Sequence, residues 1–232
     1  MIADADAAAG AEQVKKIGKA GGRASFLKVN LEREKDIRLM IRTAMTRFKR
    51  LDILVNNARP KLKSSPLADG FQDWDLAMNV LLKAPAMAAQ YAAPAMKKNG
   101  GGSVINIASI NAFLVSHQPL AYHAAKGGLV MLTRYLADKL ADSRVRVNAI
   151  CPALVDLKEK RLKKNNKDLK TVLAPTAVPI KRASTPKEIA ELALFLSSEG
   201  ASTITGQSII IDGGLTIRDP FDVAVRSYMK KR

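Results

Sequence analysis

The sequence predicts an α/β protein with a doubly wound, mainly parallel sheet, and three observations carry that prediction. Short apolar runs of strand length alternate with longer amphipathic segments, the pattern of βαβ units. The chain has 232 residues, 47% of them hydrophobic, enough for one sizeable core and short for two. No repeat, low-complexity tract or linker divides it, so residues 1–232 are expected to form a single domain.

Residues 1–5 read as the end of a strand. An alanine-rich helix follows to about Lys19, where the glycines at 18, 21 and 22 break it. Residues 24–29 form the next expected strand. Ile37, Met40, Ile41, Ala44, Met45 and Phe48 then fall at helical spacing, a stripe to be buried. Residues 51–55 read as a buried strand ending at the polar pair Asn56-Asn57. A helical region over 72–98 should bend or break at Pro85 and Pro94, because proline lacks the amide hydrogen a helix needs. A strand at 103–108, a helix over 121–141 and a strand at 145–150 stopped by Pro152 come next. One or two short helices precede the loop around Pro175 and Pro179. Pro186 starts a helix to about Ser197, and the strand 208–211 closes at Asp212-Gly213-Gly214.

Composition narrows the function classes. A lone cysteine, Cys151, excludes a disulfide within the chain, and two histidines, His117 and His123, are too few for a His-rich metal site. No apolar run approaches the roughly 20 residues that span a bilayer. The first residues lack the basic start and apolar stretch of a secretory signal, so a cytoplasmic protein is expected. The formal charge of +17 attracts anionic partners: nucleic acid, phosphorylated substrates or an acidic carrier protein. Basic residues are densest over 158–170 and recur at Lys61, Lys63, Lys97, Lys98 and the Lys230-Lys231-Arg232 tail. Little aromatic interleaving accompanies them, which argues against specific nucleic-acid recognition and for a solvated basic surface.

The residues best placed for chemistry are Ser109, Tyr122 and Lys126. Tyr122 and Lys126 stand four apart on an expected helix and so share a face. A phenol, with a reference pKa near 10, is a poor base at neutral pH, and a neighbouring ammonium favours its phenolate. Ser109 follows a strand, where its hydroxyl can hydrogen-bond a substrate oxygen as charge develops. Asn56, Ser109 and Pro152 all fall at carboxyl ends of strands, the side where open α/β sheets bind ligands.

Alone, Tyr-x-x-x-Lys occurs in many helices. Here it stands in an ordered set: Asn56-Asn57-Ala58 after a strand, Asn79 on a helix, Ser109 thirteen residues before Tyr122, then Arg146-Val147-Asn148-Ala149-Ile150-Cys151-Pro152 and Asp212-Gly213-Gly214. That set resembles the short-chain dehydrogenase/reductase family over nearly the whole chain. The resemblance implies a Rossmann-like fold and NAD(P)-dependent carbonyl reduction or alcohol oxidation, often in a dimer or tetramer. It implies that Tyr122 is the general acid/base and that Ser109 orients the substrate oxygen. Lys126 would tune Tyr122 and bind the nicotinamide ribose, and Asn79 would hold a relay water. Asn57, Ala58, Pro152 and Val155 would lie against the cofactor. Asn30 and Leu31 would meet its adenine, and Asp4 its adenosine ribose, which tilts the choice of NAD or NADP toward NAD.

The chain departs from the pattern at several places. Arg59 replaces the glycine usual after Asn-Asn-Ala, and Ala153 the glycine usual after the proline. Val155-Asp156 displaces a threonine that contacts the carboxamide. In such folds the glycine-rich turn lies roughly 20 residues before the acidic residue, and Asp4 leaves no room for it. The glycines at 18, 21 and 22 follow a helix and are no substitute. The first βα unit is therefore expected to be missing, leaving a gap in the sheet or forcing strands to re-pair. The alternative reading is a lyase, an isomerase or a catalytically silent binding protein that has lost normal cofactor binding. The substrate is expected to be a small carbonyl or alcohol compound, anionic or carrier-linked if the basic surface takes part.

Overall fold

The computed structural model of the chain describes residues 1–63, 71–156 and 177–229. Its strands are β1 (Ile2–Asp4), β2 (Phe26–Lys28), β3 (Ile53–Asn56), β4 (Gly102–Ile107), β5 (Val145–Pro152) and β6 (Ser208–Ile211). Its helices are α1 (Ala7–Lys19), α2 (Glu34–Phe48), α3 (Trp74–Met78), α4 (Ala84–Lys98), α5 (Leu120–Lys139), α6 (Pro186–Ser197) and α7 (Pro220–Met229). A π-helical turn, Asn79–Lys83, joins α3 to α4. Among the described residues every strand pairing is parallel: β1 with β2, and β3-β4-β5-β6 in that order.

Alternation along each strand sends successive side chains to opposite layers. On one face Leu54, Val104, Val145 and Val147 pack against Ile37, Met40 and Ile41 of α2 and Ala88, Ala92 and Met96 of α4. On the other, Ile105 and Ile150 meet Leu196 of α6. The buried alanines of α4 let α2 approach it closely. Two helices start on side-chain caps: Asp6 caps α1 by accepting from Ala9 N at 3.0 Å, and Thr185 with Glu188 forms a reciprocal capping box on α6.

Four readings need adjustment. Pro85 does not break the long helix, because it falls at the first turn of α4, just after a π turn that alters the local backbone pairing. Pro94 sits inside α4 without interrupting it. β5 runs on through Pro152, which pairs with Ile211. α7 was not anticipated; its signals are Asp219, which accepts from Phe221 N at 2.9 Å, and the helical spacing of Phe221, Val225 and Tyr228. The basic stretch 158–170, the loop at Pro175 and the tail 230–232 lie outside the described residues. Asp212-Gly213-Gly214 is a structural turn. Both glycines have positive φ, and a Cβ on Gly213 would come within 2.6 Å of Ile180 and Val178.

The expected gap is present, and the strands do not re-pair. β1 and β3 share no ladder, and a cavity of about 520 Å3 separates them. Asp52 O accepts from Ser103 N at 2.8 Å, so Leu54 and Asn56 also turn their amides to β4 while Ile53 and Val55 turn theirs to the cavity. Ile2 and Asp4 bond to β2 in the same way, which leaves Ala3 facing the cavity from the other side. The side chains of Ile53 and Val55 are 44% and 47% exposed, bordering an apolar groove of about 390 Å3 beside Ile189, Ala193 and Leu194 of α6. Packing of α2 on α4 sets the separation of the two sheets.

This edge is testable by amide hydrogen exchange. Ile53 and Val55 should exchange on the order of a hundredfold faster than Leu54 and Asn56. Equal protection across the four would show that the edge is paired in solution.

Candidate active site

The parallel register brings the carboxyl ends of β3, β4 and β5 together, with Asn56 opposite Asn106 and Asn106 opposite Ala149. A polar chain crosses the core beneath them. Asn56 Nδ2 donates to Asn106 Oδ1 at 2.8 Å, Asn106 Nδ2 to Thr133 Oγ1 at 2.9 Å, and Thr133 Oγ1 to Leu129 O at 2.8 Å. It ties β3 and β4 to α5, and each member is satisfied, as buried polar groups require. Sequence reasoning passed over this chain; the signal was a polar Asn106 inside the apolar run of β4.

Ser109, two residues beyond β4, is buried and caps the 3-10 turn Ile110–Ala112. Its Oγ accepts from Asn111 N at 3.2 Å, which leaves the hydroxyl hydrogen to donate elsewhere. That turn packs on α5. Tyr122 and Lys126 lie one turn apart on the buried face of α5. Tyr122 packs with Ala77 and Leu81, the residues that flank Asn79 where the π turn begins. Lys126 Nζ sits 5.7 Å from the Tyr122 ring centroid and donates to Ile107 O at 2.5 Å. The turn that Ser109 caps and the π turn that begins at Asn79 thus both pack on α5, the helix that carries Tyr122 and Lys126.

The surrounding loop is fixed by His123. Its Nε2 accepts from Ser116 N at 3.0 Å and its Nδ1 lies 3.0 Å from Pro119 O, so the two contacts together assign the tautomer protonated on Nδ1. Asn111 staples the same loop by donating to Ser116 Oγ at 2.8 Å. Gln118 accepts from Arg59 Nη2 at 2.9 Å, and the Arg59 guanidinium stacks 5.1 Å from the Tyr122 ring centroid. Burial, reinforced by that guanidinium, lowers the Lys126 pKa from 10.5 to about 8. Burial also raises the Cys151 thiol to about 11, which keeps it neutral and unsuited to nucleophilic work.

Of the expected cofactor residues, Asp4, Leu31, Asn57, Ala58 and Lys126 line one continuous cavity, the space between β1 and β3. Its volume lies within the range of small-molecule sites. Residues expected at both ends of a dinucleotide therefore border the same space, whose remaining wall is mostly apolar, with Met40, Ile41, Ala44, Leu54, Val80 and Leu81 in it. Asn30 is used locally: its Oδ1 accepts from Glu32 N at 2.9 Å. Pro152 and Val155 stand apart from this cavity, Pro152 at the end of β5 and Val155 bridged to Ser184.

A family model described as enoyl-(acyl carrier protein) reductase matches residues 1–216. The chain belongs to the short-chain dehydrogenase/reductase family. An uncharacterized oxidoreductase of Thermotoga maritima is 34% identical over 221 residues, covering 94% of this chain and 86% of that protein. The structure of a gluconate 5-dehydrogenase from Burkholderia cenocepacia, in complex with NADP and tartrate, superimposes with a TM-score of 0.83 at 27% identity. It covers 94% of this chain and 85% of that one. A 7α-hydroxysteroid dehydrogenase complexed with NADH and 7-oxo-glycochenodeoxycholic acid gives a TM-score of 0.84 at 29% identity, covering 92% and 82%. This short-chain dehydrogenase/reductase is accordingly an NAD(P)-dependent oxidoreductase with a Rossmann-like fold.

The buried lysine has a measurable cost. Its folded pKa is below its unfolded value, so the unfolded chain binds more protons between about pH 8 and 10.5, and stability rises with pH across that window. At about 1.4 kcal/mol per pH unit, the displacement amounts to on the order of 3 kcal/mol against the folded state at neutral pH. Lys126→Met removes that cost but strands the Ile107 carbonyl, a loss of about 1–3 kcal/mol. The variant should melt a few degrees above wild type at pH 7. Near pH 10.5 the lysine penalty is gone and only the stranded carbonyl remains, so the variant should melt below wild type there; thermal melts at the two pH values check both.

Proposed function

We propose that Tyr122 is the general acid/base of a carbonyl/alcohol oxidoreductase. The observation that supports this is the stack of Tyr122 and Lys126 on α5, set against the turn that Ser109 caps. A bound nicotinamide would supply or accept the hydride. In the reducing direction, Ser109 donates its hydroxyl hydrogen to the substrate oxygen, and Tyr122 hands its phenolic proton to that oxygen as the alcohol forms. In the oxidising direction the same proton returns to Tyr122. Lys126, still largely protonated at neutral pH, keeps its charge beside the phenol and reaches the ribose of the cofactor. Asn79, on the π turn next to the Tyr122 pocket, holds the water through which the proton is replenished from solvent. Asn57 and Ala58 just after β3 flank the cofactor, with Pro152 at the end of β5 and Val155 beyond it. Asn30 and Leu31 attend the adenine.

Asp4 favours NAD over NADP, because a carboxylate accepts from the ribose hydroxyls and repels a 2′-phosphate. The working form is a homo-oligomer. Met131 and Tyr135 on α5, 60% and 59% exposed, with Ile210 on β6, supply apolar surface to be covered. The protein acts as one domain on a small carbonyl or alcohol substrate, free or carrier-linked, in the cytoplasm. Among the described residues no helix is long and apolar enough to cross a membrane.

Tyr122→Phe should lower turnover at least about a hundredfold while leaving the melting temperature near that of wild type. Full activity in that variant would refute the assignment. Titration with the two reduced cofactors should give tighter binding of NADH than of NADPH. The reverse order would remove Asp4 from its assigned role.

A further inference from the structure

The cation against the phenol belongs to a residue that the reaction as described leaves idle. Arg59 follows β3 and precedes Pro60, which holds its backbone extended. One of its donors is taken by Gln118 Oε1 at 2.9 Å, a contact that bridges the end of β3 and the loop before α5. The guanidinium lies 5.1 Å from the Tyr122 ring centroid. Among the described residues it forms no ion pair with a carboxylate, and the side chain is exposed. Most of its five N–H donors are therefore available on the open side of the ring. Lys126, the other cation at this ring, is buried and committed to the Ile107 carbonyl.

An arginine fixed in this way has the geometry for a carboxylate. Its planar fork takes two oxygens at once, and Gln118 has already restricted its rotation, so less freedom is lost on binding. A neutral carbonyl oxygen can accept a hydrogen bond from such a group but gains neither the charge attraction nor the paired geometry. We infer that Arg59 is a specificity-determining residue, that the substrate is an oxo or hydroxy acid, and that its carboxylate seats on the Arg59 guanidinium while its carbonyl or hydroxyl meets Tyr122 and Ser109. The inference rests on the oxidoreductase reading of the same site and adds the substrate class to it.

The test compares pyruvate with methyl pyruvate, the same carbonyl with and without the negative charge. Binding of each to wild type, Arg59→Gln and Arg59→Lys is followed by NMR titration, and turnover of each is measured with NADH and with NADPH. Wild type should bind the acid in preference to the ester. Arg59→Gln should weaken the acid at least tenfold and the ester less than twofold, the range expected for a hydrogen-bonded charge. Arg59→Lys should recover part of the loss, since it keeps the charge without the fork. Three results would each overturn the inference: equal binding of acid and ester by wild type, no measurable binding of the acid, or an Arg59→Gln defect that falls on cofactor affinity. The last would make the guanidinium a dinucleotide contact. Failure of the oxidoreductase reading looks different: neither compound turns over with either cofactor, whatever the binding data show.

Discussion

The parallel register of β3, β4 and β5 is the constraint on which the rest of this molecule depends. Three strands running in one direction leave the sheet at one end, so the residues that follow them meet although they are far apart in the chain. Asn57 and Ser109 follow β3 and β4 at that end, Pro152 closes β5 there, and α5 packs on β5 and on the turn that Ser109 caps. The Asn56–Asn106–Thr133 chain fixes that packing with directed bonds where apolar contact alone would allow sliding. Lys126 then reaches the carbonyl of Ile107, the last residue of β4, with no other adjustment.

Two features of the fold oppose stability. One is the buried ammonium of Lys126, whose displaced pKa measures how poorly the interior solvates it. Active groups are often held at such a cost, and removing them stabilises the protein while ending its function. The other is β3. Its sequence, Ile-Leu-Val-Asn, is that of a strand covered on both faces, yet it stands at a sheet edge with two amides and two large side chains uncovered. Local sequence and global placement disagree there, and such conflicts mark regions that carry something beyond stability.

Electrostatics links the surface to the site. The net charge of +17 draws anions toward the protein without selecting among them. Selection needs a fixed cation at a fixed distance from the reacting bond, and Arg59 supplies that through its anchor on Gln118. The same guanidinium adds to the burial of Lys126 in lowering the lysine's pKa, so specificity and proton chemistry share one field.

Most of the element types were legible because apolar periodicity is local: a dozen residues suffice to distinguish a strand from an amphipathic helix. Order and spacing were enough to single out Ser109, Tyr122 and Lys126, since a four-residue step on a helix fixes a shared face. α7 escaped notice although its cap and spacing were both present. The sequence by itself determined the layered α/β architecture and the residue types that could move a proton. The tertiary structure alone decided which groups meet: Asn56 with Asn106 across 50 residues, Arg59 with Gln118 across 59, and β1, among the described residues, with no strand on its inner edge. The reason is physical. Contacts between distant segments depend on strand register and helix packing, and no local pattern of apolar and polar residues encodes either.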